Sequence, residues 1–325
     1  MNMSLRIRFL LLVLALAAFQ PAFSQSASRT SGPKRGLLLN ELLIHRGSLA
    51  PAPRSGKPVP DAVAMGLAKA KVYKFSTTDY PGAEFSILID SNGNTGVGVF
   101  ILGATGPTTA FTVKGNVYRI LDVPGSQSSA ATAITTSGVI GGNYSDPSGK
   151  HGFVDNAGTF TNIDFPGAFA TEISDLNDAG VIVGNYFASN QHGYVDNGGV
   201  FTPIDFPGAF FSSATGINSN GDIVGFWEDA NGEHGFLLSG GVFTSLDFPF
   251  AADTLPFGIN DYGAISGSYV DASGVAHGFI YSNGAWSKVD VVGAAATELR
   301  RIKNNGAITG LATDDHNESH GIRGR

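Results

Sequence analysis

Six charged side chains in two separate stretches of the chain have types that could support chemistry. They are Glu172, Asp175, Glu298, Arg300, Arg301 and Lys303. Carboxylates can act as general acids and bases, and guanidinium or ammonium groups can hold polar or anionic ligands. About 120 residues separate the two stretches, so they form a site only if the fold brings them together.

Recurring histidines are a second candidate, since His-Gly followed by Phe, Tyr or Ile begins at residues 151, 192, 234, 277 and 320. A catalytic residue is usually unique, whereas a histidine that every repeat needs is expected to be structural. We therefore expect each imidazole to hydrogen-bond a neighbouring strand or loop, with ligand binding as the alternative. No nucleophile elbow, phosphate-binding loop or His-Glu-x-x-His motif occurs, and no catalytic residue is assigned.

Two acidic segments contain metal-ligating residue types. Residues 90–94 place oxygen ligands at alternate positions, as a calcium loop does, but lack the later glutamate. Residues 314–320 hold two histidines that an extended strand would keep apart. We expect both to be hairpin turns and assign no metal and no cofactor, with calcium binding as the open alternative.

Composition limits the class of protein. The chain of 325 residues has 44 glycines, 23 phenylalanines and no cysteine, and is 42% hydrophobic and 14% charged. These values exclude a coiled coil, a disordered chain and a disulfide scaffold. Residues 72–325 carry 10 basic and 25 acidic residues, a net charge of −15, which argues against a nucleic-acid partner.

The first 71 residues have the features of an export signal and a linker. Arg6 and Arg8 precede an apolar run over residues 9–19, and small residues follow at 22 and 24. This pattern predicts a signal peptide over residues 1–24 and a secreted or periplasmic protein, with a retained interfacial anchor as the alternative. Residues 25–71 are basic and contain five prolines, as expected for a linker. Once the signal is removed, we expect no membrane insertion.

A repeat fills residues 72–325 and predicts the fold. Three markers, namely His-Gly-Phe, Asp-Phe-Pro-Gly and Ile217-Asn218-Ser219-Asn220-Gly221, each have six recognisable copies spaced by 41–45 residues. Each copy contains four short strands separated by turn residues. The sequence therefore predicts an all-β, six-bladed β-propeller of four-stranded blades, with a β-solenoid as the alternative. The last copy lacks an outer strand, and Val72-Tyr73-Lys74-Phe75 is expected to supply it and close the ring.

The position before the innermost Ile or Leu marker varies among the six copies. It is occupied by Leu88, Ala133, Asp175, Gly216, Gly258 and Arg301. The third and sixth blades of a six-fold ring face each other, so we expect Asp175 and Arg301 on opposite walls of the axial channel. With Glu172 and Glu298 they would form a polar pocket, the alternative being a structural ion pair or a solvated rim. We expect binding on the face that carries the hairpins between second and third strands.

The motif Gly-Ile-Asn-x-x-Gly-x-Ile-x-Gly followed by His-Gly-Phe resembles the bacterial extracellular HAF-type repeats. The resemblance covers residues 72–325, although Gly replaces the Ala of the His-Ala-Phe signature in the five copies that keep the histidine. It implies an exported repeat protein of bacterial origin and brings no established chemistry or catalytic residue.

Without a unique catalytic constellation, we expect a monomeric, non-enzymatic module that binds an unknown protein or glycan. The alternative is a carbohydrate-active hydrolase or lyase on the propeller axis, which requires Glu172, Asp175, Glu298 and Arg301 to converge.

Overall fold

The computed structural model describes residues 73–103 and 105–325, which form an all-β structure of 24 strands. The expected signal peptide (1–24) and linker (25–71) lie outside the described residues. Within the described ranges, no helix is long and apolar enough to cross a membrane.

The strands group into four-stranded antiparallel units, which we number along the chain. Units 1 to 3 comprise β2 (Phe85–Ser91), β3 (Thr95–Ile101), β4 (Thr108–Lys114), β5 (Val117–Ile120), β6 (Ser128–Ile134), β7 (Ile140–Asp146), β8 (Gly149–Asn156), β9 (Thr159–Ile163), β10 (Ala170–Leu176), β11 (Ile182–Phe187), β12 (Gln191–Asn197) and β13 (Val200–Ile204). A single parallel pair, Ala170 with Lys150, links units 2 and 3 into one eight-stranded sheet.

The remaining units follow the same order. Units 4 to 6 comprise β14 (Phe211–Ile217), β15 (Ile223–Asp229), β16 (Gly232–Ser239), β17 (Val242–Leu246), β18 (Asp253–Ile259), β19 (Ile265–Val270), β20 (Ala276–Ser282), β21 (Ala285–Lys288), β22 (Ala296–Ile302), β23 (Ile308–Thr313) and β24 (Ser319–Gly324). Unit 6 is completed by β1 (Phe75–Thr77), which pairs antiparallel with β24. The completing strand thus lies slightly after the expected Val72–Phe75 segment, and Lys74 extends the pairing through two backbone hydrogen bonds with Arg325.

Hydrophobic clusters join each unit to the next. In one of them Val154 of unit 2 packs with Leu176 and Ile182 of unit 3. Unit 6 also contacts unit 1, because Thr309 Oγ1 donates to the Ile89 carbonyl at 2.7 Å. Burial of aliphatic side chains between units therefore contributes to the stability of the repeat.

The glycine in the middle of each second strand is required by packing. A Cβ added at Gly225 would lie 1.9 Å from the Ser213 carbonyl and 2.6 Å from the ring of Phe236. The backbone of the first strand and the third-strand aromatic ring therefore occupy the space that a side chain would need. The equivalent glycines are Gly98, Gly142, Gly184, Gly267 and Gly310.

The Asp-Phe-Pro-Gly marker fastens neighbouring units together. Asp164 lies 2.8 Å from His151 Nδ1 within unit 2, while the adjacent Phe165 stacks on Tyr186 of unit 3 with centroids 3.7 Å apart. Tyr186 in turn stacks on His192. The marker therefore makes a polar contact within its own unit and an aromatic contact with the next unit.

Each of the five repeated histidines makes the same polar contact. The Nδ1–carboxylate pairs are His151–Asp164, His192–Asp205, His234–Asp247, His277–Asp290 and His320–Asp79, at 2.8–3.0 Å. The last pair joins unit 6 to the segment that follows β1. This repeated, internally satisfied geometry agrees with the structural role expected for the histidines.

The histidine pairs predict a pH-dependent stability. Burial disfavours the charged imidazole, but carboxylates on both sides of the rings outweigh it and raise the pKa of His234 and His320 above the ordinary histidine value. A raised folded-state pKa stabilises the fold below the unfolded-state value, and this contribution is lost as pH rises through the folded-state value. Urea unfolding should therefore give a larger free energy at about pH 6 than at about pH 8. The double variant His234→Gln/His320→Gln should show a smaller difference, and an unchanged difference would contradict the assignment.

Candidate functional site

Arg301 crosses the axis around which the units are arranged. Its Nη1 donates to the Phe257 carbonyl of unit 5 at 2.5 Å, and its Nη2 donates to the Ser174 carbonyl of unit 3 at 2.5 Å. Nη2 also lies 3.4 Å from the Thr132 carbonyl of unit 2, and Nε is 3.6 Å from Asp175 Oδ1. One buried guanidinium from unit 6 therefore contacts the first strands of three other units.

A β-bulge in each first strand provides these acceptors. The register of the first strand against the second shifts by one residue in every unit, at Ile89, Thr132, Ser174, Thr215, Phe257 and Arg300. A bulged residue is left out of the ladder, so its carbonyl can turn away from the sheet. Four of these carbonyls accept from Arg301, including that of the preceding Arg300.

Asp175 faces Arg301 as the sequence predicts, and both side chains are buried. Its two oxygens also accept the backbone N–H groups of Leu176 and Ile217. Burial raises the pKa of Asp175 despite the nearby Arg301 charge, and the negative charge of Asp90 adds to the rise. These two hydrogen bonds give the carboxyl a structural role, because they join its own strand to the first strand of unit 4.

Lys303 pairs with a carboxylate of unit 1. Its Nζ lies 2.6 Å from Oδ1 of the buried Asp90, whose Oδ2 accepts the Ile134 N–H. Burial alone would raise the pKa of Asp90, but the Lys303 and Arg301 charges and the hydrogen bonds from Lys303 and Ile134 hold it below its usual value. Asp90 and Lys303 thus join unit 1 to unit 6.

The turn after each first strand carries a second set of contacts between units. Asn218 is representative, since its Oδ1 accepts the N–H groups of Asn220 and Asp222 while its Nδ2 donates to the Asn260 carbonyl of the next unit. The other links are Asn92 to Thr135, Thr136 to Asp178, Asn177 to Asn218, and Asn260 to Lys303. With the pair Lys303–Asp90, these contacts connect every unit to the next.

A pocket of about 340 Å³ opens at this end of the axis. All six units contribute to its lining through the last residues of their first strands and the following turns, for example Asn92, Asn218, Asn260 and Asn305. The described hairpins between second and third strands do not line it. The pocket therefore lies at the opposite end of the first strands from the face that the sequence favours.

The structure gathers only part of the predicted axial set into this pocket. Asp175, Arg301 and Lys303 line it. Glu172 does not, and forms an ion pair with Lys150. The expected convergence of Glu172 on the axis therefore does not occur, because its side chain is drawn to a cation on β8.

Glu298 and Arg300 also lie outside the pocket lining. They pair with each other at 2.8 Å, and the Arg300 guanidinium lies 4.3 Å from the ring centroid of Phe257. Burial raises the pKa of Glu298 and lowers that of Arg300, while each charge opposes the shift of its partner. The expectation that these two residues line a shared axial pocket is therefore not met.

Asp90 is a site residue that the alignment of the repeats by sequence misses. The pairing of Asp90 with Val97 matches that of Asp175 with Val183, so Asp90 rather than Leu88 is the unit 1 equivalent of Asp175. The signal was an interval of 22 residues between Ile89 and Phe111, longer than in any other copy. Starting unit 1 at Ser91 reduces the interval to 20 residues, within the 18–20 of the other copies.

Neither acidic segment contradicts the expectation of turns. The Asp90 carboxylate accepts the N–H groups of Ser91 and Ile134 and pairs with the Lys303 ammonium group. In the other segment Asp314 accepts the N–H groups of His316 and Glu318, which shapes the hairpin between β23 and β24. Asp314, Glu318 and His320 are close enough to hold a cation, but these groups also satisfy a tight turn on their own.

Comparison with known proteins identifies the fold only. No protein-family model matches the chain, and no curated protein matches it. TolB from Acinetobacter baumannii is structurally similar, with a TM-score of 0.56, 10% identity and coverage of 73% of this chain. This chain spans 65% of the TolB chain. The likeness shows a β-propeller fold and, at this identity, nothing about activity.

Two further solved structures have lower similarity. AofleA from Arthrobotrys oligospora has a TM-score of 0.49 and 14% identity, covering 78% of this chain and 86% of its own. The fucose-specific lectin from Aleuria aurantia has a TM-score of 0.46 and 13% identity, covering 75% of this chain and 92% of its own. Similarity at this level carries no inference about the ligand of this chain.

The contacts of Arg301 predict a large loss of stability when its charge is removed. Arg301→Met would leave several carbonyls buried without their donor and Asp175 without the positive charge beside it, which should lower the free energy of unfolding by about 3–5 kcal/mol. Urea unfolding followed by tryptophan fluorescence measures this loss.

The exposed Arg119 on β5 offers a matched control. Arg119→Met should change the free energy of unfolding by less than about 0.5 kcal/mol. In the Arg301→Met background, Asp175→Asn should recover part of the loss, because it removes the unpaired charge. Equal and small effects of the two arginine variants would show that the axial contacts contribute little.

Proposed function

We propose that this protein is an exported, monomeric and non-enzymatic binding module, secreted or periplasmic, which holds a protein or glycan ligand in the axial pocket. The observation that carries the proposal is the pocket of about 340 Å³ to which all six units contribute. This volume lies within the range of ligand-binding clefts. Amide and hydroxyl groups on its turns, such as those of Ser219 and Asn305, can exchange hydrogen bonds with a ligand.

We further propose that the six units form a closed, six-bladed ring and that the chain is a HAF-type repeat protein. Pairing of β1 with β24 and the contact of Thr309 with Ile89 support closure. The repeated His-Gly motif supports membership of that family. Signal cleavage and export are also part of this proposal. They rest on the sequence pattern of residues 1–24.

The paired state of the buried charges favours binding over catalysis. The enzymatic alternative, a carbohydrate-active hydrolase or lyase, needs two carboxyl groups at one site. Glu172 and Glu298 are paired with Lys150 and Arg300 outside the pocket lining. Three carboxylates line the pocket, and each makes contacts between units. Asp175 accepts the Ile217 N–H. Asp178 accepts from Thr136, and Asp261 accepts from Ser219 and Asn304.

Blocking the pocket should abolish binding. Asn305 is exposed in the lining, and its side chain bonds within its own turn, to the Ala307 N–H. Asn305→Trp should fill the mouth with little effect on the fold, reducing binding at least about tenfold on glycan and peptide arrays probed with the purified protein.

Asn190→Trp is the matched control, since Asn190 is exposed on the hairpin between β11 and β12 at the other end of the unit. It should leave array binding unchanged. Binding that survives Asn305→Trp but is lost with Asn190→Trp would place the site on the opposite face, and turnover of an arrayed glycan would replace this proposal with the enzymatic alternative.

A further inference from the structure

The interface between units 6 and 1 differs from the other interfaces between units. Elsewhere, an aliphatic residue of one third strand packs on two aliphatic residues of the next unit, as Val154 does on Leu176 and Ile182. The same arrangement joins Val195 to Ile217 and Ile223, Leu237 to Ile259 and Ile265, and Ile280 to Ile302 and Ile308. The unit 1–2 interface keeps the two aliphatic residues, Ile134 and Ile140, with Thr112 at the third position.

All three positions change between units 6 and 1. Arg323 replaces the third-strand aliphatic residue, and the register places Ser91 and Gly96 where the other units have two large aliphatic residues. A Cβ on Gly96 would lie 3.3 Å from Arg323 Nη2. The side chains of Leu88 and Val113 lie closer still, at 2.6 and 3.0 Å. The small residues of unit 1 therefore leave space that these two side chains share with the guanidinium of unit 6. We call this place the arginine groove, defined by Ser91, Gly96, Arg323 and Arg325.

The groove is continuous with the axial pocket and lacks a counter-charge. Ser91, Arg323 and Arg325 all line the pocket. Within residues 73–103 and 105–325, no Asp or Glu side chain forms an ion pair with either arginine. The buried Nε of Arg323 has no hydrogen-bond partner, as is also true of Arg300 and Arg301. A bound anion would supply acceptors to the guanidinium N–H groups of Arg323 that face the pocket.

Electrostatics at the groove also favour an anion. Burial lowers the pKa of Arg323, and the positive charge of Arg325 lowers it further. The surrounding domain has an excess of acidic residues. Three carboxylates, Asp175, Asp178 and Asp261, also line the pocket, but neither Arg323 nor Arg325 pairs with them. A guanidinium presents parallel N–H donors that match the two oxygens of a carboxylate.

The rest of the lining indicates which carboxylate. Leu176, Ile217 and Ile259 provide apolar surface, and the described lining contains no aromatic ring on which a sugar could stack. An aliphatic side chain with a neighbouring carboxylate matches this combination, and both occur together at the end of a peptide chain.

We propose that the arginine groove binds the free carboxyl terminus of a peptide whose last side chain is aliphatic. The carboxylate lies on Arg323 and Arg325, and the last side chain contacts the aliphatic surface of the pocket. This inference rests on the proposed binding function and specifies its ligand.

The test compares two pools of fluorescein-labelled hexapeptides, which end in Leu, Ile or Val and are randomised elsewhere. One pool has a free carboxyl terminus and the other a terminal amide. Fluorescence anisotropy with the full protein should show at least about tenfold tighter binding of the free-acid pool, as expected for a charge-assisted pair. Arg323→Leu should remove this preference without disturbing the fold, because Leu237 occupies the equivalent position in unit 4.

Arg119→Leu is the matched control and should keep the preference, since Arg119 is exposed on β5. Equal binding of the two pools, or a preference that survives Arg323→Leu, would overturn the inference. Binding of a hexuronate oligosaccharide in place of the peptides would also overturn it, in favour of an acidic glycan. If the arrays show a ligand that Asn305→Trp blocks while the peptide pools fail, only this inference is lost and the proposed function stands.

Discussion

A guanidinium removed from water needs acceptors on all sides, and the axis of this fold is where the backbone of several units can supply them. The bulges turn backbone oxygens of units 2, 3, 5 and 6 towards Arg301. Because these oxygens would otherwise be buried without donors, the first strands and the arginine depend on each other. The small residues Ala133, Gly216 and Gly258 at the equivalent positions leave the axis free for a single long side chain.

Contacts between units use the same residue types repeatedly, with the exceptions concentrated where unit 6 meets unit 1. Asparagine links most turns, whereas Lys303 and Asp90 make the last link as an ion pair. There the arginine groove replaces the third-strand contact of the other interfaces, while Leu311 still packs with Ile87 and Val99. The interface between units 6 and 1 is therefore distinguishable from the others, because it differs from them in charge and in side-chain volume.

The length of the repeat and its four strands follow from the sequence, because they depend on the spacing of residues. The facing positions of Asp175 and Arg301 follow as well, because they depend on the symmetric arrangement of the units. Asp90 does not, since the turn after β2 is shortened and Ser91 stands where the other units have Ile or Leu. The nearest match to the marker, Ile89, therefore lies two residues too early. Glu172 and Glu298 were misplaced for a different reason. Glu172 pairs with Lys150 of the preceding unit, a contact between units that residue spacing does not encode. Glu298 pairs with Arg300 two residues along the same strand, a pairing that the sequence spacing allows and that the prediction overlooks.

The pairing of β1 with β24 has a kinetic consequence. Phe75 lies opposite Gly324, so the two strands of this pair lie near opposite ends of the described sequence. Contacts between distant residues form slowly, because the long intervening loop must first be ordered. Of the described strands, β1 leaves the ribosome first, and it can reach its partner only after β24 has emerged. Until then both sheet edges remain open to other chains.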